Sequence, residues 1–162
     1  MDEMQLLRIL EDNPRASVSD LSDILNESEE EIIRVKSRLE EEKIICGYHT
    51  VINWDKTNTD HVTAIIKVDA KPEKDVGYDR IAAKISRFDE VTDLYLMSGE
   101  SSFSVVIQGR TMREVSDFVA QSLAPIEGVI NTSTSFMLRQ YKVEGVDLLK
   151  DKDKDERQLV QP

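Results

Sequence analysis

The sequence predicts an α+β protein built from two domains, and three observations lead to that prediction. Residues 1–45 carry apolar side chains at helical spacing, in three short segments separated by turn-forming residues. From residue 61 onward, strand-like and helix-like segments alternate in the order β-α-β-β-α-β. The hydrophobic content of 40% over 162 residues is typical of a folded chain and leaves room for two small domains. The predicted organisation is a helical domain at 1–48, a linking strand and loop at 49–60, a mixed domain at 61–143 and a flexible tail at 144–162.

Three helices are expected in the N-terminal domain. The first covers about residues 2–12, with Met4, Leu7 and either Ile9 or Leu10 on its apolar face. The second covers about residues 17–26 and is short, with only two turns or so. A tight turn before the third helix is typical of a helix-turn-helix, although a plain three-helix bundle would give the same pattern.

The third helix has the clearest start signal in the chain. Ser28 is a candidate N-cap and Glu31 follows three residues later, which predicts a capping box. Ile32, Val35 and Leu39 then lie close together on the helical wheel and are expected to form the buried stripe. The opposite face of this helix is consequently the one available to a partner.

The mixed domain is predicted to be a ferredoxin-like βαββαβ unit. Its two helices would cover one face of the sheet and leave the other face bare. A second copy of the same domain is the simplest cover for that bare face, so a homodimer is expected. Strands are predicted at 44–54 (the linking strand), 61–70, 91–97, 103–107 and 129–141, and helices at 78–88 and 111–124. The core residues expected on the second of these helices are Met112, Val115, Val119 and either Phe118 or Leu123. The side chains expected on the bare face of the sheet are Ile65, Tyr95, Met97 and Met137.

Composition and motif content argue against several classes of protein. The single cysteine, Cys46, excludes an internal disulfide and a multi-cysteine zinc site. No apolar stretch is long enough to span a bilayer and no signal peptide opens the chain, so no membrane partner and a cytoplasmic location are expected. No phosphate-binding glycine loop, metal-spaced histidine cluster or Ser-His-Asp set is present, so neither a catalytic site nor a metal site is predicted.

Both halves contain motifs that resemble one family. The segment VKSRLEEEKIICGY resembles the end of a recognition helix and its turn into a linking strand. The segment LYLMSGE resembles a strand that enters a glycine loop, and TSTSFMLRQYK resembles a final strand. Together these motifs resemble the Lrp/AsnC family of feast/famine transcription regulators over residues 2–143. The resemblance implies a winged-helix-like DNA-binding domain followed by a RAM-type ferredoxin-like domain. It also implies homodimers that assemble further into tetramers or octamers, and control by a free amino acid rather than by a bound cofactor.

The resemblance implies that the third helix enters the major groove of double-stranded DNA. The candidate DNA-binding residues on its outward side are Ile33, Arg34, Lys36, Ser37 and Arg38. Arg34 and Arg38 could reach guanine edges or phosphates, and Ser37 a phosphate. The alternative is a solvated face, on which Arg34 pairs with Glu30 or Glu31 and Arg38 with Glu41 or Glu42.

The effector site implied by the resemblance lies on the loop between the second and third strands of the mixed domain. Its candidate residues are Gly99, Glu100, Ser101 and Ser102, with Thr132 and Thr134 on the last strand for the carboxylate end of an amino acid. Ser101 and Ser102 stand where family members commonly carry an aromatic residue and an aspartate. A plain hairpin turn that uses the backbone freedom of Gly99 is the alternative interpretation.

Charge is the main argument against DNA binding. The formal net charge is −11, and residues 1–48 hold thirteen acidic side chains against six basic ones. Acidic groups that face phosphates repel them, so binding by one head should be weak and salt-dependent. The rival function is therefore an oligomeric metabolite-sensing or scaffold protein that binds DNA weakly or not at all. RNA binding is less favoured, because SSFSVVIQG lacks the aromatic and basic pattern of an RNA-recognition sheet.

Overall fold

A computed structural model describes residues 1–149. The chain divides into two compact units, Met1–Val51 and the part that begins at Ile52. We refer to them as the head and the sheet domain. Residues 150–162, which form most of the predicted tail, lie outside the described residues. Within residues 1–149, no helix combines the length and the apolar character needed to cross a membrane.

The head consists of three helices: α1 (Glu3–Asp12), α2 (Val18–Leu25) and α3 (Glu29–Glu41). The predicted buried stripe of α3 is confirmed, since all three of its side chains are at most 3% exposed. On α1 the predicted face is partly wrong, because Leu6 lies in the core while Met4 is 60% exposed. Leu6 and Leu10, four residues apart, are the pair that points inward. The buried side chains of the head are Leu6, Leu10, Leu21, Ile32, Val35 and Leu39.

Side-chain caps fix where α2 and α3 begin. Ser17 and Asp20 form a complete capping box at α2, in which each side chain bonds the backbone N–H of the other residue. At α3 the box predicted for Ser28 and Glu31 is only half formed: Ser28 Oγ accepts the Glu31 N–H, but the Glu31 carboxylate bonds elsewhere. Between the two helices Asn26 adopts a left-handed conformation with φ of 52°, which asparagine tolerates better than most residues.

The sheet domain has the predicted βαββαβ order. Its elements are β1 (Val62–Ala70), α4 (Asp79–Ile85), β2 (Val91–Leu96), β3 (Phe103–Gly109), α5 (Met112–Phe118) and β4 (Val129–Phe136). The four strands form one antiparallel sheet in the spatial order β2-β3-β1-β4. In this order the two central strands, β1 and β3, are the ones that pair across the middle of the domain.

Residues that face α4 and α5 form the core of the sheet domain. Phe103 on β3 is 1% exposed, and its ring meets Tyr78 edge-on with centroids 5.5 Å apart. Phe88 and Phe118 make a second edge-to-face pair at 5.2 Å. The fully buried aliphatic side chains are Ala64, Ile66, Val68, Ile81, Ile85, Val105, Ile107 and Leu123.

The end of α5 departs from regular helical geometry. Residues Val119–Leu123 continue the helix as a wider π-helical turn. Phe118 and Leu123 are therefore both buried, whereas the sequence predicted only one of them. Met112, predicted to lie in the core, is 52% exposed because it occupies the first position of the helix on the solvent side.

Two predicted strands differ from the structure. The linking segment 44–54 contains no strand; it ends instead in a short 3₁₀ helix, Trp54–Lys56. A strand needs a neighbour for its backbone groups, and within the described residues none lies beside this segment. The final strand stops at Phe136 rather than at residue 141, and a small hairpin follows, β5 (Lys142–Val143) with β6 (Val146–Asp147). Ordered structure thus extends past the point where the tail was predicted to begin.

Candidate functional site

The outward face of α3 is the predicted nucleic-acid interface, and the structure divides its five candidate residues into two groups. Ile33, Arg34 and Ser37 are exposed on the side opposite the buried stripe. Lys36 and Arg38 are only half-exposed and lean onto neighbouring parts of the head. Helical spacing thus gives a narrow strip at positions 33, 34 and 37 that a partner could contact first.

Arg34 is held by a carboxylate one turn before it on the same helix. Its Nε donates to Glu31 Oε2 at 2.9 Å and its Nη2 donates to Glu31 Oε1 at 2.7 Å. This two-point contact lowers the pKa of Glu31, mainly through the hydrogen bonds from Arg34. The Arg34 side chain remains 65% exposed, so the pair lies at the surface, where a partner can reach it.

Arg38 is bound more tightly into the head. Its Nη1 donates to Glu42 at 2.9 Å, four residues along α3, and its Nη2 lies 2.6 Å from Glu3 Oε1 on α1. The Glu42 partner was among the alternatives read from the sequence. Glu3 was not, because no periodicity relates two residues that are 35 positions apart. The side chain of Arg38 is 35% exposed.

Lys36 takes part in a contact between α3 and the segment that follows it. Its Nζ lies 5.1 Å from the centre of the Tyr48 ring, and the Tyr48 hydroxyl donates to Glu40 Oε1 at 2.7 Å. Burial and the bond to Glu40 raise the pKa of Tyr48 to about 12. Lys36 is therefore directed toward the linking segment rather than straight outward.

The predicted effector loop is a hairpin connection closed by a backbone bond from Met97 N–H to Ser102 O. Gly99 has φ of 154°, a conformation that side chains disfavour, and Glu100 is fully at the surface. Ser102 holds the loop against β1: its Oγ accepts the Ala70 N–H and donates to the Ala70 carbonyl, both at 3.1 Å. Ser102 thus has a structural role in the described chain, while Gly99, Glu100 and Ser101 remain available to a ligand.

Thr132 and Thr134 occupy the edge strand β4. Their cross-strand partners are Val68 and Ile66, so both hydroxyl side chains lie on the helix-covered face. They are half-buried, and among the described residues neither makes a side-chain hydrogen bond. Thr132 and the effector loop both flank the end of β1, but on opposite sides of that strand. The structure does not join the two halves of the predicted effector site by a contact within one chain.

The uncovered face of the sheet carries the predicted apolar side chains. Ile65 pairs with Val106 on one side and with Ser135 on the other, and cross-strand partners share a face. Tyr95 and Met97 continue this face at the far edge. The exposed fractions of Ile65, Tyr95 and Met97 are 38%, 53% and 49%, which is high for side chains of this size.

The sequence profile of the Lrp/AsnC ligand-binding domain matches residues 63–147. Over 161 residues the chain is also 37% identical to the uncharacterized HTH-type transcriptional regulator YugG of Bacillus subtilis (strain 168). That similarity covers 99% of this chain and 96% of the relative. This chain belongs to the Lrp/AsnC family.

Other members of the Lrp/AsnC family agree with the assignment. HTH-type transcriptional regulator LrpA of Pyrococcus abyssi is 31% identical over 137 residues, which cover 85% of this chain and 94% of the relative. Among solved structures, a transcriptional regulator of Neisseria meningitidis in complex with L-Met superposes with a TM-score of 0.65 at 25% identity. The superposition covers 83% of this chain and 86% of that one.

Membership of the Lrp/AsnC family confirms the predicted fold and class of function. The chain is a transcription regulator of this family, with a helix-turn-helix domain followed by a ferredoxin-like effector-binding domain. The relatives are described as transcriptional regulators.

One further feature of the sheet domain was not anticipated from the sequence. Trp54 stacks on His61 with ring centroids 4.5 Å apart, and the pair forms part of the wall of a cavity of about 360 Å³. Asp55, Asp60 and Arg110 also line this cavity. It lies where β1 begins, at the opposite end of the sheet from the predicted effector loop. The cavity is therefore separate from the predicted effector site.

Proposed function

We propose that this regulator binds double-stranded DNA as a homodimer through α3 and that a free amino acid controls it through the sheet domain. The observation that carries the DNA-binding part is the exposed strip of α3, Ile33, Arg34 and Ser37, opposite a fully buried stripe. A helix supported in this way can enter a major groove without disturbing the core of the head. Arg34 would bond a guanine edge, Ser37 a phosphate, and Ile33 would make apolar contact with a base.

The remaining two predicted contacts would act at the margin of the same surface. Lys36 and Arg38 are half-exposed and already bonded to other parts of the head, so we assign them to the DNA backbone rather than to bases. Contacts with phosphates give orientation and affinity without sequence information. Because the head is acidic, two heads on one DNA would bind far better than one.

The dimer is proposed to form through the uncovered face of the sheet. Ile65, Tyr95, Met97 and Met137 lie there, and burying them against a second copy would remove their apolar surface from water. Such a dimer would place two copies of α3 on one symmetrical DNA site. Further assembly of dimers into tetramers or octamers belongs to the same proposal.

The dimer has a simple test. Ile65→Arg places an unpaired charge on the uncovered face, and Met112→Arg places the same charge on an exposed position of α5. We expect sedimentation velocity to give monomers for Ile65→Arg and dimers or larger species for Met112→Arg. Equal assembly by the two variants would contradict an interface on this face.

The proposed effector is a free amino acid bound near Gly99, Glu100 and Ser101, with Thr132 or Thr134 completing the site. Two findings support this choice: the family profile is that of a ligand-binding domain, and the Neisseria relative was solved with L-Met. Glu100 would face the ammonium group and the threonine hydroxyls the carboxylate. Since Thr132 and the loop lie on opposite sides of β1, a neighbouring copy would supply one half of the site.

A second candidate function, that of a metabolite-sensing scaffold, is favoured by the charged groups of the head. Both outward arginines of α3 are bonded to carboxylates, and the head carries a net negative charge. A metabolite-sensing scaffold that no longer binds DNA would show the same features. Neither proposal includes catalysis, and a regulator of transcription is proposed to act in the cytoplasm beside the chromosome.

Two experiments separate the proposals. The first is a gel-shift titration on the DNA upstream of the protein's own gene, at low and at physiological salt. We expect retardation that weakens steeply with salt, and no retardation even at low salt would overturn the DNA-binding proposal. The second is a thermal-shift screen of the twenty amino acids, where a ligand at 100 times its dissociation constant adds about 2.7 kcal/mol. A flat screen would overturn the effector proposal alone.

A further inference from the structure

The two outward arginines of α3 differ in how their hydrogen-bonding groups are used. A guanidinium has two edges that can each donate a parallel pair of N–H bonds, one through Nε and Nη2 and the other through the two terminal nitrogens. Glu31 occupies the Nε–Nη2 edge of Arg34. The edge formed by the two terminal nitrogens of Arg34 has no other partner among residues 1–149. That free edge can donate a pair of N–H bonds to the two acceptors of guanine.

Arg38 shows the opposite arrangement. Both of its terminal nitrogens are bonded to carboxylates, one to Glu42 on α3 and the other to Glu3 on α1. It is also about half as exposed as Arg34, with 35% of its side chain accessible against 65%. To contact a base, Arg38 would have to leave two carboxylates and give up a bond between two helices. Arg34 can offer its free edge to a base without breaking its bonds to Glu31.

The position of the Glu31 carboxylate is itself informative. Ser28 and Glu31 have the spacing of a capping box, and at α2 the equivalent box forms completely. At α3 Ser28 still accepts the backbone N–H of Glu31, yet the Glu31 carboxylate turns forward to Arg34. The helix start loses one capping bond and Arg34 gains a two-point support.

We propose that Glu31 is a positioning residue that presents Arg34 to a guanine in the major groove, and that Arg38 is a bridge between α1 and α3 that reads no base. This inference rests on the proposed DNA-binding function. An arginine that is already oriented loses less side-chain entropy when it binds, so its contact discriminates better. The carboxylate also repels phosphates, which weakens binding to every other sequence. Glu31 therefore favours selectivity over affinity.

The test measures the ratio of affinities of the full-length protein for its own upstream DNA and for a shuffled fragment of equal length. Arg34→Ala is expected to lower this ratio about tenfold, the discrimination typical of one bidentate base contact. Glu31→Gln should lower it about threefold while raising affinity for the shuffled fragment, because one repulsive charge is removed. In the Arg34→Ala background, Glu31→Gln should no longer lower the ratio.

Glu30→Gln is the matched control, since Glu30 is the adjacent exposed glutamate on the same turn. It should raise affinity for both fragments alike and leave their ratio unchanged. Arg38→Ala should lower the melting temperature of the head and weaken both fragments alike. A ratio unaffected by Glu31→Gln would overturn the role of Glu31, and a collapse of the ratio in Arg38→Ala would overturn the assignment of the two arginines.

A readout without DNA guards against loss of folding in the variants. In a ¹⁵N spectrum, the Nε–H of Arg34 should give a separate, slowly exchanging signal that disappears in Glu31→Gln and persists in Glu30→Gln. Absence of that signal in the wild-type protein would contradict the positioning role. If the wild-type protein bound neither fragment, the DNA-binding proposal would be overturned, and this inference with it. That result differs from one in which the wild-type protein binds but Glu31→Gln leaves the affinity ratio unchanged, which would overturn this inference alone.

Discussion

The head and the sheet domain are stabilised in different ways. The head has a small core of six buried aliphatic side chains, and its helices are further tied by capping side chains and surface ion pairs. The sheet domain buries about twice as many side chains and adds two edge-to-face aromatic pairs, Tyr78 with Phe103 and Phe88 with Phe118. Packing therefore dominates in one unit, while polar contacts at the surface contribute a larger share in the other.

This difference bears on function. The proposed DNA-binding surface lies on the head, where polar contacts contribute a larger share, and the proposed dimer surface lies on the sheet domain, where packing dominates. The proposed DNA-binding strip of α3 includes Arg34 and Ser37, whose polar contacts respond to salt. The face of the sheet proposed to form the dimer is defined by strand register, which salt leaves unchanged. Substitutions that separate packing from polar contacts should accordingly affect one unit and spare the other.

The largest effect is expected for Phe103→Ala. Its ring is 1% exposed and contacts Tyr78, so truncation should destabilise the sheet domain by about 3–5 kcal/mol. Calorimetry should show the transition of the sheet domain at a lower temperature and the transition of the head unchanged. Tyr95→Ala, on the uncovered face of the same sheet, is the control and should cost far less unless the dimer dissociates. Equal losses in the two units would mean that they unfold together.

Gly128→Ala comes next in size. Gly128 has φ of 94°, and a Cβ there would lie 2.7 Å from Ile81 Cδ1, so both strain and a clash are expected. We expect a loss of about 2 kcal/mol in the unfolding free energy of the sheet domain, measured by urea denaturation. Gly145→Ala has a similar φ of 82° with open space around the added Cβ. It should cost about 1 kcal/mol, and an equal cost for both variants would exclude a packing contribution at Gly128.

Ser17→Ala tests the polar contacts of the head. Removing the hydroxyl breaks the capping box with Asp20 and should cost the head about 1 kcal/mol. Ser19→Ala, two residues later and exposed, is the matched control, and its cost should be close to zero. Urea denaturation followed by the helical signal of the head measures both. A larger cost for Ser19→Ala than for Ser17→Ala would contradict the assigned cap.

The smallest effect expected is a loss of head stability in acid. Hydrogen bonds from Ser17 lower the pKa of Asp20 below its ordinary value of 3.8, and those from Arg34 lower the pKa of Glu31 below 4.5. A carboxyl group with a lowered pKa in the folded state stabilises that state above its ordinary pKa, and this contribution is lost as pH falls through the lowered value. The melting temperature of the head should therefore fall from pH 5 to pH 3. Asp20→Asn combined with Glu31→Gln should make that fall shallower, and an unchanged slope would contradict it.

Much of the fold could be predicted from the sequence because local patterns specify it. Alternation of apolar and polar residues predicted the strands of the sheet, and helical spacing of apolar residues predicted that Ile32, Val35 and Leu39 lie in the core. The π-helical turn after Phe118 could not be predicted, since helical spacing in the sequence does not distinguish a π turn from an α turn. The linking segment has strand-forming residues, yet a strand also needs a neighbour that the local sequence cannot specify.

The candidate site was less predictable than the fold. Spacing alone offered two candidate partners for each arginine, and Glu31 and Glu42 are the ones that bind, because i,i+3 and i,i+4 neighbours follow from helix geometry. The bond from Arg38 to Glu3 depends on how α1 packs against α3, which no local pattern encodes. Likewise, the face on which Thr132 lies follows from its pairing with Val68 across β1 and β4.

The central claim is that the outward face of α3 is the DNA-binding surface of an acidic regulator. Ser37→Glu and Ser116→Glu test it most directly, since both place a glutamate on an exposed helical serine, one on α3 and the other on α5. A new negative charge opposite phosphates should lower affinity for the upstream DNA at least ~10-fold in Ser37→Glu, while Ser116→Glu stays close to wild type. Binding by Ser37→Glu that matches Ser116→Glu would contradict the claim.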